Sequence, residues 1–439
     1  MSVTTSDLQS EANTAQDRKT TRKNLVGIGM GNLLEWYDWN VYASFAVYIA
    51  AHAFNNDDPA SALLSTLAVF AVGFVARPFG GFLFGWIGDR KGRKFSLTLA
   101  ILLASFGSLA IALLPNYESW GVASSVMLLL ARLLQGLAHG GELPSSQVFL
   151  SEVAPPKKRG LWSSWIYVSG TTGILIGVLL AAVLNIALTP EQLDSFGWRI
   201  PFAIGAVAGL YTLYLRRNME EPEVFKEVAA ENAKTKRNLF SQVWEHRIAA
   251  LQVIGLTIGL TVAYYAWAIN APTYANTQLG MDRGLTLWAG VIGNIVLIAS
   301  LPLWGMLSDK IGRKPVMLIS AVGVLVLYYP LHLWQRNDFV VLVLIISIMS
   351  ALLAGSLSIM PALFSELFPP EVRTSGIGFP YAFAVAAFGG TAPYIQTWAA
   401  TTSFNFFPIY VIVLLVITTL AIFTVPETKG KDLSVVGKR

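Results

Sequence analysis

Long apolar segments alternate with short polar ones along almost the whole chain. Twelve of the apolar segments reach the length of about 20 residues that a helix needs to cross a bilayer. They lie near residues 25–53, 62–87, 95–114, 121–149, 160–187, 199–215, 248–274, 284–307, 315–334, 339–365, 372–398 and 404–425. The pattern predicts an all-α membrane protein with twelve transmembrane helices.

Two polar stretches interrupt this alternation. Residues 1–23 are polar throughout and lack the apolar core of a signal peptide, so we expect a disordered cytoplasmic tail there. Residues 216–247 are charged and separate the sixth apolar segment from the seventh. We expect them to form a cytoplasmic linker between two six-helix bundles, 24–215 and 248–425, with a second cytoplasmic tail at 426–439.

The composition agrees with a membrane protein. Hydrophobic residues make up 54% of the chain and charged residues 13%, whereas a soluble domain carries about 25% charged residues. The chain has no cysteine, which excludes disulfides and thiolate metal sites.

The distribution of Lys and Arg predicts the orientation. Most of the 31 basic residues lie in the N-terminal stretch, the linker, the C-terminal stretch and every second loop. Basic residues favour the cytoplasmic side, so we expect a multi-pass protein of the cell membrane with both termini in the cytoplasm. Topology thus accounts for the positive charge, and the sequence gives no reason to expect a nucleic-acid partner.

Two motifs occur once in each half of the chain. GWIGDRKGRK (85–94) matches GMLSDKIGRK (305–314) at an offset of 220 residues, and SEVAPPKKR (151–159) matches SELFPPEVR (365–373) at an offset of 214. All four copies fall on the predicted cytoplasmic side, which indicates two parallel six-helix repeats. Their acids and arginines form a predicted latch between the halves, consisting of Asp89, Arg90, Arg93, Glu152, Asp309, Arg313 and Glu366.

Charged side chains and histidines in the middle of the predicted spans are confined to the first half. A charge at the bilayer centre costs about 2.5 to 3.5 kcal/mol, so each one is a candidate for function. The first span has Glu35 and Asp38, and the second has Arg77. In the fourth span a polar stripe follows helical spacing and lies on one face. It consists of Arg132, Gln135, His139, Glu142 and Ser146.

A buried carboxyl group can bind and release a proton, because a low-dielectric medium favours its neutral form. We therefore expect Glu35 and Asp38 to carry protons, with Arg132 and Glu142 as their partners and Glu142 as a further candidate carrier. The alternative is a static network that pairs Asp38 with Arg77 and Glu142 with Arg132.

The motifs resemble those of the major facilitator superfamily. The two G-x-x-x-D-R/K-x-G-R-K loops, Arg132 in ARLLQG, RRNMEEPEVF and PETKG carry this resemblance. The similarity to its metabolite:proton symporter branch rests on GNLLEWYDWNVY, FVARPFGGFLFGWIGDRKGRK, LLQGLAHGGE and SFGWRIPF. It implies transport of a small metabolite, since that branch takes up 2-oxoglutarate, citrate, shikimate, proline and betaine. The chain departs from the branch at Tyr37, at Trp39 and in the residues that follow GGE.

The arginines favour a carboxylate substrate, since a guanidinium binds a carboxylate through two hydrogen bonds. The predicted substrate-binding residues are Arg77, Trp36, Trp39, Tyr42, Gln135, His139, Tyr265 and Trp267. We expect proton-coupled import of a dicarboxylate similar to 2-oxoglutarate. The alternatives are a zwitterionic osmolyte such as betaine or proline, which aromatic rings can bind by cation–π contact, and a cyclic acid such as shikimate.

Enzyme activity is not expected, because the sequence contains no metal cluster, nucleophile–base pair or phosphate-binding loop. We expect no cofactor and no metal. The expected partners are the small-molecule substrate, protons and the lipid bilayer, and the expected state is a monomer.

Overall fold

The computed structural model describes residues 5–55, 59–217, 219, 221, 244–401 and 406–433. Twelve membrane helices account for most of these residues. Their bounds are α1 Thr5–Ser44, α2 Pro59–Lys91, α3 Arg93–Ala112, α4 Val122–Val153, α5 Arg159–Ala187, α6 Ile200–Arg217, α7 Arg247–Tyr264, α8 Arg283–Ile311, α9 Arg313–Trp334, α10 Phe339–Ser365, α11 Arg373–Ala384 and α12 Phe407–Thr424.

Three of these helices continue after a local break. After Phe45, α1 continues as Ala46–Ala53. A π-helical turn extends α7 through Tyr265–Ile269 to Ala271–Leu279, and another extends α11 through Val385–Gly389 to Ala392–Thr401. Ten of the described helices satisfy a simple test of length and hydropathy, α7 among them. The two that do not are α1, whose apolar stretch carries two acids, and α11, which the π turn divides.

Helix α1 differs in extent from the sequence prediction. It begins at Thr5, so most of the stretch predicted to be a disordered tail is helical and continuous with the first span. Most of the predicted linker, at 218, 220 and 222–243, lies outside the described residues, as do the last residues of the C-terminal tail.

The predicted division into two six-helix halves agrees with the packing. Within the first half α2 packs on α4, α3 on α6 and α1 on α5, and within the second α8 packs on α10 and α7 on α12. Across the halves, α2 packs on α11 and α5 on α8. These two crossings correspond to each other in the repeat.

Glycines allow the crossing helices to approach closely. A Cβ atom on Gly85 of α2 would lie 2.8 Å from the Cα atom of Ser375 on α11. A Cβ atom on Gly305 of α8 would lie 2.7 Å from the carbonyl oxygen of Gly160 on α5. Gly85 and Gly305 are equivalent in the repeat, so both crossings depend on the same missing side chain.

Candidate functional site

A cavity lies between the two halves, at the centre of the helix bundle. Its free volume is ≈ 40 Å³, below the usual range of about 300 to 1,000 Å³ for sites that bind small molecules, so the cavity is nearly closed in this conformation. Both halves contribute to its wall. The polar and aromatic lining consists of Trp36, Arg77, His139 and Tyr167 from the first half and Thr257, Thr261, Tyr264, Tyr265 and Tyr381 from the second.

Four of the eight predicted substrate-binding residues line this cavity. They are Arg77, Trp36, His139 and Tyr265. The other four lie elsewhere: Trp39 behind Arg77, Tyr42 and Gln135 around Arg132, and Trp267 against Tyr328 inside the second half, with ring centroids 5.7 Å apart.

Arg77 supplies the guanidinium group of the cavity wall. Its Cζ atom lies 4.1 Å from the ring centre of Trp39 and 3.9 Å from that of Phe74, so two aromatic faces fix its orientation. The hydroxyl of Tyr265 interacts electrostatically with this guanidinium from the opposite half. Its Nε atom has no hydrogen-bond partner among the described residues. Arg77 is therefore a held cation with a donor available to a ligand.

Glu35, on the first helix, contacts the histidine of the cavity wall. Its Oε2 atom is 3.2 Å from Nδ1 of His139, and the side chains of both residues are almost completely buried. Neither oxygen of Glu35 has a well-oriented hydrogen bond within the described part of the chain. Glu35 and Arg77 also attract each other electrostatically. The cavity wall therefore contains one guanidinium and one imidazole, and the imidazole of His139 connects this wall to the buried carboxyl group of Glu35.

Asp38 belongs to a separate hydrogen-bonded chain. Its Oδ2 atom accepts hydrogen bonds from the Ser108 hydroxyl and, at 3.3 Å, from Nε2 of Gln135. Gln135 in turn accepts a hydrogen bond from Arg132 at 2.8 Å. The proposed static pair of Asp38 with Arg77 is therefore absent from the described contacts. The ring of Trp39 lies between the two arginines, 4.1 Å from the Cζ atom of each.

Glu142 pairs with Arg216, which differs from the predicted pairing with Arg132. Both carboxylate oxygens accept hydrogen bonds from the Arg216 guanidinium, and both side chains are fully buried. Arg216 also donates to the carbonyl oxygens of Gly27 and Leu97. The physical reason is the position of each residue along the axis of α4. Residues 132 and 142 are ten positions apart, or about 15 Å along a helix, so they reach different neighbours.

Two tyrosines close the cavity toward one face of the molecule. The hydroxyl groups of Tyr167 on α5 and Tyr381 on α11 are 3.0 Å apart and join the two halves. Their numbers differ by 214, the offset that relates the SEVAPPKKR and SELFPPEVR repeats. The contact therefore joins equivalent residues at the axis between the halves.

Beyond the tyrosine pair lies the terminal face, which we define as the side where α2 meets α3, α4 meets α5, α8 meets α9 and α10 meets α11. Here the predicted latch residues join the halves in crossed pairs. Glu152 binds Arg373 of the other half at 2.7 Å, and the equivalent Glu366 binds Arg159 at 2.8 Å. Each glutamate also contacts an arginine of its own half, Arg93 at 3.3 Å and Arg313 at 3.5 Å respectively.

The two aspartates of the loop motifs bind helix starts across the same boundary. Asp89 accepts hydrogen bonds from the backbone N–H groups of Thr374 and Ser375, at 3.1 and 2.8 Å. Asp309 accepts the equivalent bonds from Gly160 and Leu161, at 2.8 and 2.9 Å. A carboxylate is stabilised by the free N–H groups at a helix start. These crossed contacts keep the terminal face closed.

Arg90 is the one predicted latch residue that lies apart from these contacts within the described ranges. It is exposed, and its Cζ atom lies 5.0 Å from the ring centre of Trp86 on its own helix.

Sequence reasoning missed several residues of this site. Arg216 follows the last apolar residues of the sixth span and was assigned to the linker. A periodic signal was nevertheless present, since Gly205, Gly209, Thr212 and Arg216 follow helical spacing and are buried. Ser108, Thr257 and Thr261 gave no comparable signal, because isolated hydroxyl residues are frequent in membrane helices.

Comparison with known proteins agrees with the resemblance of the motifs. The model of the Major Facilitator Superfamily matches residues 28–301, and that of the Sugar (and other) transporter family matches residues 215–438. An alpha-ketoglutarate permease of Escherichia coli (strain K12) is 35% identical over 422 residues, which cover 96% of this chain and 97% of that protein. A putative proline/betaine transporter of Staphylococcus aureus (strain MSSA476) is also 35% identical, over 95% of this chain and 91% of that protein.

A solved structure supports the fold. The proton:xylose symporter XylE bound to 6-bromo-6-deoxy-D-glucose has a TM-score of 0.80 with this chain at 20% identity, and covers 95% of this chain and 98% of its own. The predicted fold of twelve helices in two halves is confirmed.

Proposed function

Because this chain belongs to the major facilitator superfamily, we propose that it is a proton-coupled symporter that imports a small carboxylate metabolite by alternating access. The chain is a membrane transporter of small molecules and not an enzyme. The observation that carries the proposal is the cavity between the halves, whose wall contains Arg77 and His139, with the carboxyl group of Glu35 in contact with His139.

Arg77 is the proposed binding group for the substrate carboxylate. Its guanidinium is held by Trp39 and Phe74, so little freedom is lost when a ligand binds. The hydroxyl group of Tyr265 lies on the opposite wall and is a further donor. A dicarboxylate similar to 2-oxoglutarate is the first candidate, and the relation to the alpha-ketoglutarate permease supports it.

Glu35 can couple the binding of substrate to the binding of a proton. An ionised Glu35 competes with the substrate carboxylate for Arg77, whereas a protonated Glu35 does not. Proton binding and substrate binding therefore favour each other, and the linkage is reciprocal. Inward movement of a proton yields about 2.3 kcal/mol per 100 mV of membrane potential.

Asp38 is the second proposed proton carrier. It is buried, and its Oδ1 atom has no hydrogen-bond partner among the described residues. Arg132 reaches it through Gln135 and stabilises its ionised form, so loss of the proton does not leave an isolated buried charge. In this proposal Glu142 pairs with Arg216 and is not a carrier.

The second candidate function is uptake of a zwitterionic osmolyte such as betaine. The observation that favours it is the cavity wall, which has one guanidinium and several aromatic rings. One carboxylate on Arg77 would leave a quaternary ammonium group facing Trp36, Tyr264 and Tyr265. The relation to the putative proline/betaine transporter supports this candidate equally.

The proposal also covers the gate, the orientation in the membrane and the oligomeric state. Asp89, Glu152, Asp309 and Glu366 hold the terminal face closed and must release it when the substrate leaves. The excess of Lys and Arg on this face supports a cytoplasmic location for both termini in the cell membrane. The crossings between the halves of one chain support a monomer as the working unit.

Uptake into proteoliposomes tests the proposal. Radiolabelled 2-oxoglutarate and radiolabelled glycine betaine are offered under an inward proton gradient, with and without an uncoupler. We expect uncoupler-sensitive uptake of one of them, with competition from unlabelled citrate, shikimate or proline reporting the breadth of the site. Uptake that is indifferent to the uncoupler would contradict proton coupling.

Asp38→Asn and Glu35→Gln separate binding from coupling. The amide that Asp38→Asn introduces retains an oxygen that can accept the bonds from Ser108 and Gln135, so the fold should survive. We expect both variants to exchange labelled for unlabelled substrate but to lose gradient-driven accumulation. Asp194→Asn, at an exposed position outside the spans, is the matched control.

A further inference from the structure

Gln147 is a buried amide that none of the contacts described so far uses. It lies on α4 and is fully buried. Neither its Oε1 atom nor its Nε2 atom has a hydrogen-bond partner within the part of the chain that the structure describes. A buried amide without partners is expensive, so this side chain calls for an explanation.

The position of Gln147 along α4 supplies the explanation. At 100° per residue, Gly140, Pro144, Gln147 and Ser151 lie within about 60° of one another on the helix. Gly140 and Pro144 line the cavity, and the Ser151 hydroxyl donates to the carbonyl oxygen of Pro361 in the other half. The face of α4 that carries Gln147 therefore runs from the cavity to the terminal face along the boundary between the halves.

A second unpartnered group lies at a similar depth on the neighbouring helix. Ser163 of α5 is 1% exposed, and its hydroxyl also lacks a partner among the described residues. It precedes Tyr167 by one helical turn, on the side toward the terminal face. Gln147 lies six residues before the end of α4, and Ser163 lies four residues after the start of α5. Both are therefore within about 10 Å of the helix ends at this face.

We propose that Gln147, together with Ser163, forms a second binding position for the substrate, between the tyrosine pair and the crossed latch. It is covered while the terminal face is closed. When the halves separate there, the amide and the hydroxyl gain access to water and to the carboxylate that leaves Arg77. The proposal rests on the proposed function, since it assumes that the cargo carries a carboxylate.

The same arrangement makes Gln147 a sensor of the closed state. When the terminal face closes, the amide of Gln147 loses its hydrogen bonds with water and gains none from the protein. When the face opens, the hydrogen bonds with water form again. An apolar side chain of similar size removes this penalty and also removes the binding position. Gln147→Leu should therefore favour the closed terminal face and slow the release of substrate.

Kinetics measured from each side of the membrane test the proposal. Radiolabelled 2-oxoglutarate and glycine betaine are offered to proteoliposomes of the wild type, Gln147→Leu, Gln147→Asn and Gln252→Leu. Gln252 is a half-buried glutamine on α7 whose amide binds Thr424 of α12, away from the cavity, and it serves as the control. For Gln147→Leu we expect an unchanged KM for substrate offered on the side of the membrane opposite the terminal face. Its KM from the terminal face should be higher, and its maximal rate roughly 5- to 150-fold lower.

The Asn variant distinguishes binding from packing. Gln147→Asn keeps the amide and should recover part of the rate, whereas a packing role would give a loss that follows side-chain volume. If Gln147→Leu transports like the wild type from both sides, the inference is wrong and the proposed function stands. If the wild type carries neither substrate, the proposed function fails first.

Thiol labelling tests the inference even if the wild type transports neither of the two labelled substrates. The chain has no cysteine, so Gln147→Cys introduces a single thiol. We expect a membrane-impermeant maleimide to react with it slowly in the otherwise unaltered chain, and faster when Gly85→Ala is added to prevent close packing of α2 on α11. A thiol that stays unreactive in both backgrounds would overturn the inference.

Discussion

Removing the hydroxyl group of Tyr167 or of Tyr381 breaks the same hydrogen bond. We therefore expect Tyr167→Phe and Tyr381→Phe to favour opening of the terminal face to the same extent. A hydrogen bond of this kind contributes about 0.5 to 1.5 kcal/mol. Since 1.4 kcal/mol is a factor of ten, the open population should rise about 2- to 13-fold. The double variant should gain almost nothing beyond either single one, because only one bond exists to be lost.

The absence of cysteine from the chain makes this measurable. Ser151→Cys places one thiol at a position that is buried at the boundary between the halves. Its rate of reaction with an impermeant maleimide reports the open population when the opening equilibrium is fast. Tyr328→Phe is the matched control, since Tyr328 is a buried tyrosine inside the second half.

Two outcomes would refute the reasoning. Unequal effects of the two single variants would mean that the tyrosines have different roles despite their equivalent positions. Additive effects in the double variant would mean that each hydroxyl stabilises the closed state through a different partner.

Two further predictions concern the helix crossing and the buried ion pair. Gly85→Ala should speed labelling of Ser151→Cys, because its Cβ atom would lie 2.8 Å from the Cα atom of Ser375. Gly88→Ala is the control and should leave the labelling rate unchanged, because its Cβ atom would have no neighbour closer than 3.4 Å. Equal labelling rates for the two variants would contradict the packing argument. Arg216→Ala should lower the free energy of unfolding by about 3 to 5 kcal/mol, because it leaves Glu142 buried without its cation, and Arg216→Lys should lose less. Thermal unfolding in detergent measures this, and a change below about 1 kcal/mol would mean that the pair is dispensable.

The sequence predicted the fold because its signals are local and redundant. Apolar length, the basic loops and the repeated motifs each indicated twelve helices in two halves. The polar stripe on α4 was also visible, since Arg132, Gln135, His139 and Glu142 follow the helical period and all four are buried. Periodicity gives the face of a helix, and the structure agrees with it here.

The partners of these residues were less predictable, because they depend on how helices are tilted and how high each residue lies. The static alternative paired Glu142 with Arg132 on its own helix, but Glu142 meets Arg216 near the end of α6. The static alternative paired Asp38 with Arg77, whereas Trp39 lies against that arginine and Asp38 contacts Ser108 and Gln135.

A break in helical regularity explains the placement of Trp267. The π-helical turn at Tyr265–Ile269 inserts an extra residue into the helical register, so the 100° rule no longer applies across it. Tyr265 remains on the cavity wall, but Trp267 is turned toward Tyr328 within the second half. A sequence pattern gives no sign of such a turn.

The crossed pairs of the terminal face have a consequence for how such a chain can be assembled. Each contact from one half has its equivalent from the other, as with Glu152 on Arg373 and Glu366 on Arg159. This is the isologous geometry of a two-fold dimer, in which a single surface is complementary to itself. The peptide connection then serves mainly to raise the effective concentration of one half near the other. Two separately expressed halves, 1–217 and 244–439, should therefore find each other in a membrane and restore the closed terminal face without a covalent link.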